Sequence, residues 1–110
     1  MTPELPNDLL DNEGYVTDEW LEFIKAYQPS EELPYLKFLE LIRQTWWQSD
    51  WGFVLHRKYK GIRKLELHTG GWSSNELIFG AMRSNIYLTH FKLRYVMWKT
   101  GGHHYFELQD

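Results

Sequence analysis

Residues 53–77 have the sequence FVLHRKYKGIRKLELHTGGWSSNEL, and this stretch decides the fold. Residues 53–68 alternate apolar and polar side chains on both sides of Lys60-Gly61, which is the pattern of a β-hairpin. Residues 69–77 contain two glycines followed by serines and a glutamate, which is typical of a turn that leads into a helix. The stretch therefore predicts a strand, a second strand and a helix, in that order.

The loop of this hairpin has two candidate lengths. A two-residue loop, Lys60-Gly61, sets like charges against each other across the strands and scatters apolar side chains over both faces. A three-residue loop, Tyr59–Gly61, with its glycine in the left-handed conformation gathers the apolar side chains on one face. Because a slip of one residue turns every side chain over, the apolar pattern favours the three-residue loop. This register pairs Phe53 with Leu67 and Leu55 with Leu65.

The turn after the hairpin carries signals for the start of a helix. Ser73 and Glu76 have the spacing of a capping box, and Trp72 before them is placed to pack on Leu77 as a hydrophobic staple. We expect a helix from here to about residue 84, ended by Asn85 in the left-handed conformation. Its inward-facing side chains are predicted to be Leu77, Ile78, Ala81 and Met82.

Two helices are predicted before this hairpin, and a second hairpin is predicted after the third helix. Thr17 is a good N-cap for a helix that Pro29 stops, and Ser30 opens the next helix. Gly101-Gly102 is a two-residue turn signal within residues 87–108. In that register Met97 faces Phe106 and Tyr95 faces Leu108.

This order predicts an α+β fold with two N-terminal helices followed by ββαββ. We expect a largely antiparallel sheet of about four strands with the helices packed on one face. Residues 15–110 are predicted to form a single domain, and residues 1–14 a mobile acidic lead-in.

Composition narrows the class of protein. Aromatic residues make up 17% of the 110 residues, which argues against disorder and leaves rings for a binding surface. The chain contains no cysteine, so disulfides and thiolate metal sites are excluded. The N-terminus lacks the pattern of a secretory signal, and no stretch is apolar enough to span a membrane. We therefore expect a cytoplasmic protein, in the host cytoplasm if the protein is viral.

Charge is divided unevenly along the chain. Residues 1–50 carry a net charge of −8, and residues 51–110 carry +5. The basic side chains of the first hairpin surround an aromatic residue at its turn, a combination that suits phosphates and stacked bases. Nucleic-acid binding through this hairpin is therefore an alternative function, although the sequence pI of 5.9 is low for it. Its candidate residues are Arg57, Lys58, Lys60, Arg63 and Lys64.

The mixed face of the sheet is the first candidate for a functional surface. Adjacent residues on a strand point to opposite faces, so His103 and His104 are not expected to bind one ion together. His56, His68 and His103 share a face, but the sequence does not bring them close. We therefore predict no metal site. Glu66, His68 and Glu107 lack a nucleophile beside them, so we also predict no catalytic residue, and we expect no cofactor. The predicted partner-binding residues are His56, Lys58, Lys64, His68, Arg94, Trp98, His103 and Tyr105.

Residues 66–76 resemble a segment of small uncharacterised proteins from bacteriophages and prophages. In that family a Glu-Leu strand runs into T-G-G-W-S, then N-E and a helix, and a Gly-Gly hairpin with aromatic residues follows. Gly101-Gly102 and residues 103–107 correspond to the second part, so the resemblance covers roughly residues 53–108. It implies a viral origin and no particular activity.

These observations favour a non-enzymatic interaction protein of phage type. Its aromatic and charged sheet face would bind a host or viral protein, with Trp46, Trp47 and Trp51 supplying core and one exposed anchor. The chain has more aromatic rings than one small core can bury, and the remaining rings could also join copies of the chain into a homo-oligomer. Nucleic-acid binding is the first alternative function, and a small enzyme of unknown class is the second.

Overall fold

Nine helical and strand elements make up the computed structural model, which describes residues 4–108. The elements are α1 (Asp18–Ala26), α2 (Tyr35–Thr45), α3 (Ser49–Gly52), β1 (Phe53–Leu55), β2 (Arg63–His68), α4 (Ser73–Ser84), a π-helical turn (Leu88–Lys92), β3 (Leu93–Lys99) and β4 (His103–Leu108). The four strands form one sheet in the order β1-β2-β4-β3, and every neighbouring pair is antiparallel. The predicted α+β fold is confirmed.

The helices cover one face of the sheet because only that face is apolar. Leu65, Leu67 and Phe106 point to this side and are almost completely buried. On the helix side, Tyr27 and Phe38 stack with ring centroids 3.6 Å apart, which joins α1 to α2. The opposite face of the sheet has no helix over it among residues 4–108, and its side chains are half-buried or exposed.

The first helix begins as predicted, and the second does not. Thr17 accepts a hydrogen bond from the Trp20 amide at 3.2 Å and caps α1. The second helix begins at Tyr35 instead of Ser30, whose hydroxyl accepts from the Leu33 amide and closes a separate turn. Pro34 explains the difference, because a proline disfavours the helical conformation in the residue before it.

The register of the first hairpin is confirmed, and the predicted loop length is wrong. Phe53 pairs with Leu67, as the apolar pattern requires. At the tip, however, Lys60 and Gly61 have φ of 52° and 81° and form a two-residue loop. Two backbone hydrogen bonds of 2.8 and 3.0 Å between Tyr59 and Ile62 close it. The extra residue lies in a bulge below the tip, where Arg57 and Lys58 oppose Arg63.

The capping box and the staple at the start of α4 are wrong. Glu76 accepts a hydrogen bond from the hydroxyl of Thr69 at 2.7 Å instead of returning to the helix start. Ser73 lies inside the helix, where its hydroxyl accepts from the phenol of Tyr15. Trp72 is itself the N-cap residue, so Gly71 and not a hydrophobic residue precedes the cap, and Leu77 is 45% exposed and does not face the core. The predicted inward positions Ile78, Ala81 and Met82 are confirmed.

The second hairpin differs most from the expected register. Its loop has three residues, Thr100–Gly102, and β3 contains a bulge at Val96. Tyr95 therefore pairs with Phe106, and Met97 pairs with Tyr105, in place of the predicted partners. Residues 87–92 do not extend this strand, because most of them form the π-helical turn.

The N-terminal lead-in contacts the domain at several points. Leu10 and Val16 form an isolated antiparallel bridge, and the indole of Trp47 donates to the carbonyl of Gly14 at 2.7 Å. The amide of Val16 also donates to the hydroxyl of Ser74 at the start of α4. Residues 1–3 of the predicted lead-in lie outside the described residues. The mobility of the segment in solution stays a prediction.

Candidate interaction surface

The uncovered side of the sheet, which we call the open face, carries outward side chains in three rows across β2, β4 and β3. Strand pairing sets the rows, because directly opposite residues share a face. Leu65, Leu67 and Phe106 alternate with these positions and point to the core. The rows are His68, His103 and Lys99; Glu66, Tyr105 and Met97; and Lys64, Glu107 and Arg94.

A chain of hydrogen bonds joins four polar side chains on this face. The carboxylate of Glu66 contacts Nε2 of His56 with one oxygen and Nε2 of His68 with the other, the latter at 3.2 Å. Nδ1 of His68 lies 2.8 Å from Nδ1 of His103. Partial burial alone would raise the pKa of Glu66, but the hydrogen bonds and charges of His56 and His68 outweigh it and lower that pKa.

A row of aromatic rings runs along one end of the open face; we call Trp72, Trp51, His68 and Tyr105 the aromatic row. The ring centroids of Trp72 and Trp51 are 5.9 Å apart, those of Trp51 and His68 6.2 Å, and those of His68 and Tyr105 5.7 Å. The ammonium of Lys99 lies 5.7 Å from the Tyr105 ring. Trp51 is 46% exposed, so the row presents apolar area to solvent.

Charges at the other end of the open face neutralise one another in part. Arg94 lies opposite Glu107 and contacts its carboxylate at 3.3 Å. Lys64 lies opposite the same glutamate on the neighbouring strand. The face therefore has an aromatic end and a charged end.

The structure gathers most of the predicted partner-binding residues and separates two of them. Lys58 is exposed and lies in the bulge below the hairpin tip, so it does not belong to the paired positions that form the three rows. Trp98 pairs with His104 and shares its face, because the bulge at Val96 turns the rest of β3 over. Its expected place on the charged face is therefore wrong. The residues that do line or border the open face are His56, Lys64, His68, Arg94, His103 and Tyr105.

Sequence reasoning missed Lys99 and Met97 as members of this surface, and it named Trp51 only as one of three tryptophans that could supply an exposed anchor. Trp51 lies in the short helix α3, between the expected helix and the first strand. Trp46 is buried, Trp47 is half-buried and Trp51 is exposed, so the expected exposed ring is present but only one of the three tryptophans is a fully buried core residue. The face of the sheet on which Met97 lies depends on the bulge at Val96, and the alternation of apolar and polar residues in β3 does not reveal that bulge.

The basic hairpin residues are divided among three environments. Arg57 and Lys60 are exposed near the tip, where Tyr59 is 71% exposed and the Lys60 ammonium lies 5.5 Å from its ring. Arg63 donates to the carbonyl of His56 at 3.3 Å. Lys64 belongs to the open face. The hairpin thus presents fewer cations at its tip than the sequence suggests.

His103 and His104 point to opposite sides of the sheet, as strand parity predicts. The ring of His104 stacks on Phe79 of α4 with centroids 3.9 Å apart, and its Nδ1 contacts the hydroxyl of Tyr95. Burial lowers the pKa of His104, with the charge of Arg83 acting in the same direction. This histidine is a core residue and does not belong to the open face.

Residues 4–108 contain no group of three or more His, Cys, Asp or Glu side chains arranged to hold a metal ion. No helix within this range has the length and apolar character that a membrane span requires.

Comparisons of the chain with family models, curated proteins and solved structures each found no match.

Proposed function

We propose that this domain is a non-enzymatic interaction module that binds a protein partner through the open face. The observation that carries the proposal is the aromatic row, whose rings lie in mutual contact at one end of an uncovered sheet. Tryptophan, tyrosine and arginine are the residues that most often anchor protein interfaces. Here Trp51 and Tyr105 supply the rings, and Arg94 supplies a rim cation.

The form of the surface supports a macromolecular partner more than a small substrate. The rows lie across three strands of an open sheet, where a protein can cover Met97 and Trp51 together. The resemblance of residues 66–76 to phage proteins implies that the partner is a host or viral protein.

Photo-crosslinking in a lysate of the source organism tests this proposal. A photoreactive phenylalanine derivative replaces Met97 on the open face in one variant and Leu77 on α4 in the control; both side chains are 45% exposed. We expect a crosslinked protein of defined mass from position 97 only, retained after nuclease treatment and lost when Trp51→Ala is added. Trp98→Ala, which removes an exposed tryptophan from the other face, should leave the crosslink unchanged.

Equal crosslinking from positions 97 and 77, or a crosslink that persists in Trp51→Ala, contradicts the assignment to the open face. Circular dichroism of each variant confirms that the fold is intact.

A second candidate function is nucleic-acid binding through the hairpin tip. It is favoured by the exposure of Tyr59 between basic neighbours, because an exposed ring stacks on any base. This function predicts complexes that disappear on nuclease treatment and weaken with salt. Tyr59→Ala and Lys60→Ala should then reduce binding, whereas Trp51→Ala should not.

A further inference from the structure

His68 and His103 lie directly opposite each other on adjacent antiparallel strands. Their Nδ1 atoms are 2.8 Å apart, and their ring centroids are 5.0 Å apart. A hydrogen bond of this kind needs one protonated and one bare nitrogen, so only one of the two Nδ1 atoms carries a proton. Two imidazole nitrogens held this close together on adjacent strands are also the start of a metal site.

Glu66 prepares His68 to act as a ligand. Its carboxylate accepts from Nε2 of His68 at 3.2 Å, and that contact places the ring proton on Nε2 and leaves Nδ1 bare. The second carboxylate oxygen contacts His56, which holds the glutamate in position. A carboxylate behind a histidine is the usual support of a metal ligand, because it fixes the tautomer and raises the basicity of the ring.

The distance between the two nitrogens is close to what a metal ion needs. With metal–nitrogen bonds of about 2.0–2.1 Å and a tetrahedral angle, two ligand nitrogens lie about 3.3 Å apart. Small rotations of the His68 and His103 rings supply the difference from 2.8 Å. One charge opposes the ion, since Lys99 lies opposite His103, although its ammonium is placed near the Tyr105 ring.

We propose that His68 and His103 together bind one divalent transition-metal ion, such as Zn²⁺, Ni²⁺ or Cu²⁺. The hydrogen bond between the rings breaks, the Nδ1 proton of neutral His103 moves through water to Nε2 of the same ring, and both Nδ1 lone pairs then coordinate the ion. Water fills the remaining coordination positions. Imidazole ligands suit these ions and do not suit Mg²⁺ or Ca²⁺. Only two protein ligands are involved, in agreement with the absence of larger ligand groups among residues 4–108, so the affinity is modest. The site does not depend on the proposed partner.

Isothermal titration of the full chain without a histidine tag tests the site, with Ni²⁺ and Zn²⁺ as the probes. We expect saturable binding of one equivalent, lost in both His68→Ala and His103→Ala. The control His90→Ala removes an exposed histidine of the π-helical turn and should bind as the wild type does. Glu66→Gln should weaken binding about tenfold, because the support behind His68 loses its charge.

Absence of saturable binding at millimolar metal, or binding unchanged in His103→Ala, overturns the proposal. If an alanine variant loses its fold, ring ¹⁵N spectra of the wild type decide: Zn²⁺ must shift the His68 and His103 signals and leave His90 in place. Trp51→Ala should retain metal binding, which separates a failure of this site from a failure of the proposed protein interaction.

Discussion

At the scale of single residues, two buried asparagines hold the helices to the rest of the domain. Asn75 exchanges hydrogen bonds with the backbone of Trp47, accepting at 2.8 Å and donating at 3.1 Å. Asn85 donates to the carbonyls of Ile24 and Tyr27 at 2.7 and 3.0 Å, where α1 ends. These side chains satisfy backbone groups that would otherwise be buried without a partner.

Replacing Asn85 with alanine should therefore reduce the stability of the fold by more than the loss of a few side-chain atoms would. The amide of Leu88 also donates to its side chain at 3.0 Å, so the variant leaves three buried backbone groups unsatisfied. We expect Asn85→Ala to lower the free energy of unfolding by about 2–4 kcal/mol, measured by urea denaturation. Asn12→Ala, at an exposed position, should change it by less than about 0.5 kcal/mol. Equal effects of the two variants would contradict this role.

At the start of α4, local sequence signals predicted the secondary structure correctly and the hydrogen bonds incorrectly. The two glycines and the serines predicted a turn and a helix, and both are present. The capping box failed because Thr69 and Glu76 hydrogen-bond to each other, and Tyr15 uses the Ser73 hydroxyl. Both competing partners come from outside the local motif, and one of them is distant in sequence.

At the scale of elements, the β3–β4 hairpin decides the composition of the open face. Met97 lies beside Tyr105, and Trp98 points to the other side. Arg94 comes to lie opposite Glu107, a pairing that the two-residue loop does not allow. The three-residue loop puts Met97 in place of Trp98 on this face, and the extra residue of the bulge at Val96 then brings Arg94 opposite Glu107.

The loop of this hairpin needs glycine at one position for two reasons. Gly102 has φ of 81°, and a Cβ there would lie 2.1 Å from the hydroxyl oxygen of buried Thr69. Gly71 has φ of 76° with open space around it. We expect Gly71→Ala to cost about 1–2 kcal/mol from backbone strain, and Gly102→Ala to cost at least about 1 kcal/mol more from overpacking.

Urea denaturation of both variants measures the difference. Similar losses of stability in Gly71→Ala and Gly102→Ala would mean that Thr69 moves aside without cost.

At the scale of the whole molecule, stability should depend on pH through a buried histidine. Burial places the pKa of His104 below its ordinary value, and the charge of Glu76 opposes this shift only in part. A depressed pKa means that the unfolded chain binds the proton more readily. The contribution of neutral His104 is therefore complete above the unfolded value and is lost as pH falls towards the folded one.

Unfolding free energies between about pH 7 and about pH 5 test this dependence. We expect the wild type to lose stability over this range and His104→Phe, which keeps the stack on Phe79, to lose less. His90→Phe is the control and should follow the wild type. Parallel profiles for wild type and His104→Phe would show that this ring does not control acid stability.

The sequence by itself determined the class of fold and the pairing of the first two strands. Apolar alternation in residues 53–68 is a local property, and it selects one register because the other exposes apolar side chains. Thr17 likewise caps α1 through a contact three residues away.

Only the tertiary structure decided which side chains meet on the open face. His68 and His103 meet because β2 pairs with β4 across 35 residues of chain, and no local pattern states which strands are neighbours. The bulge at Val96 and the exposure of Trp51 also depend on packing between distant elements. Local periodicity reports which side of a strand is apolar, whereas the contacts on its other side follow from strand order and register, which are set by the core as a whole.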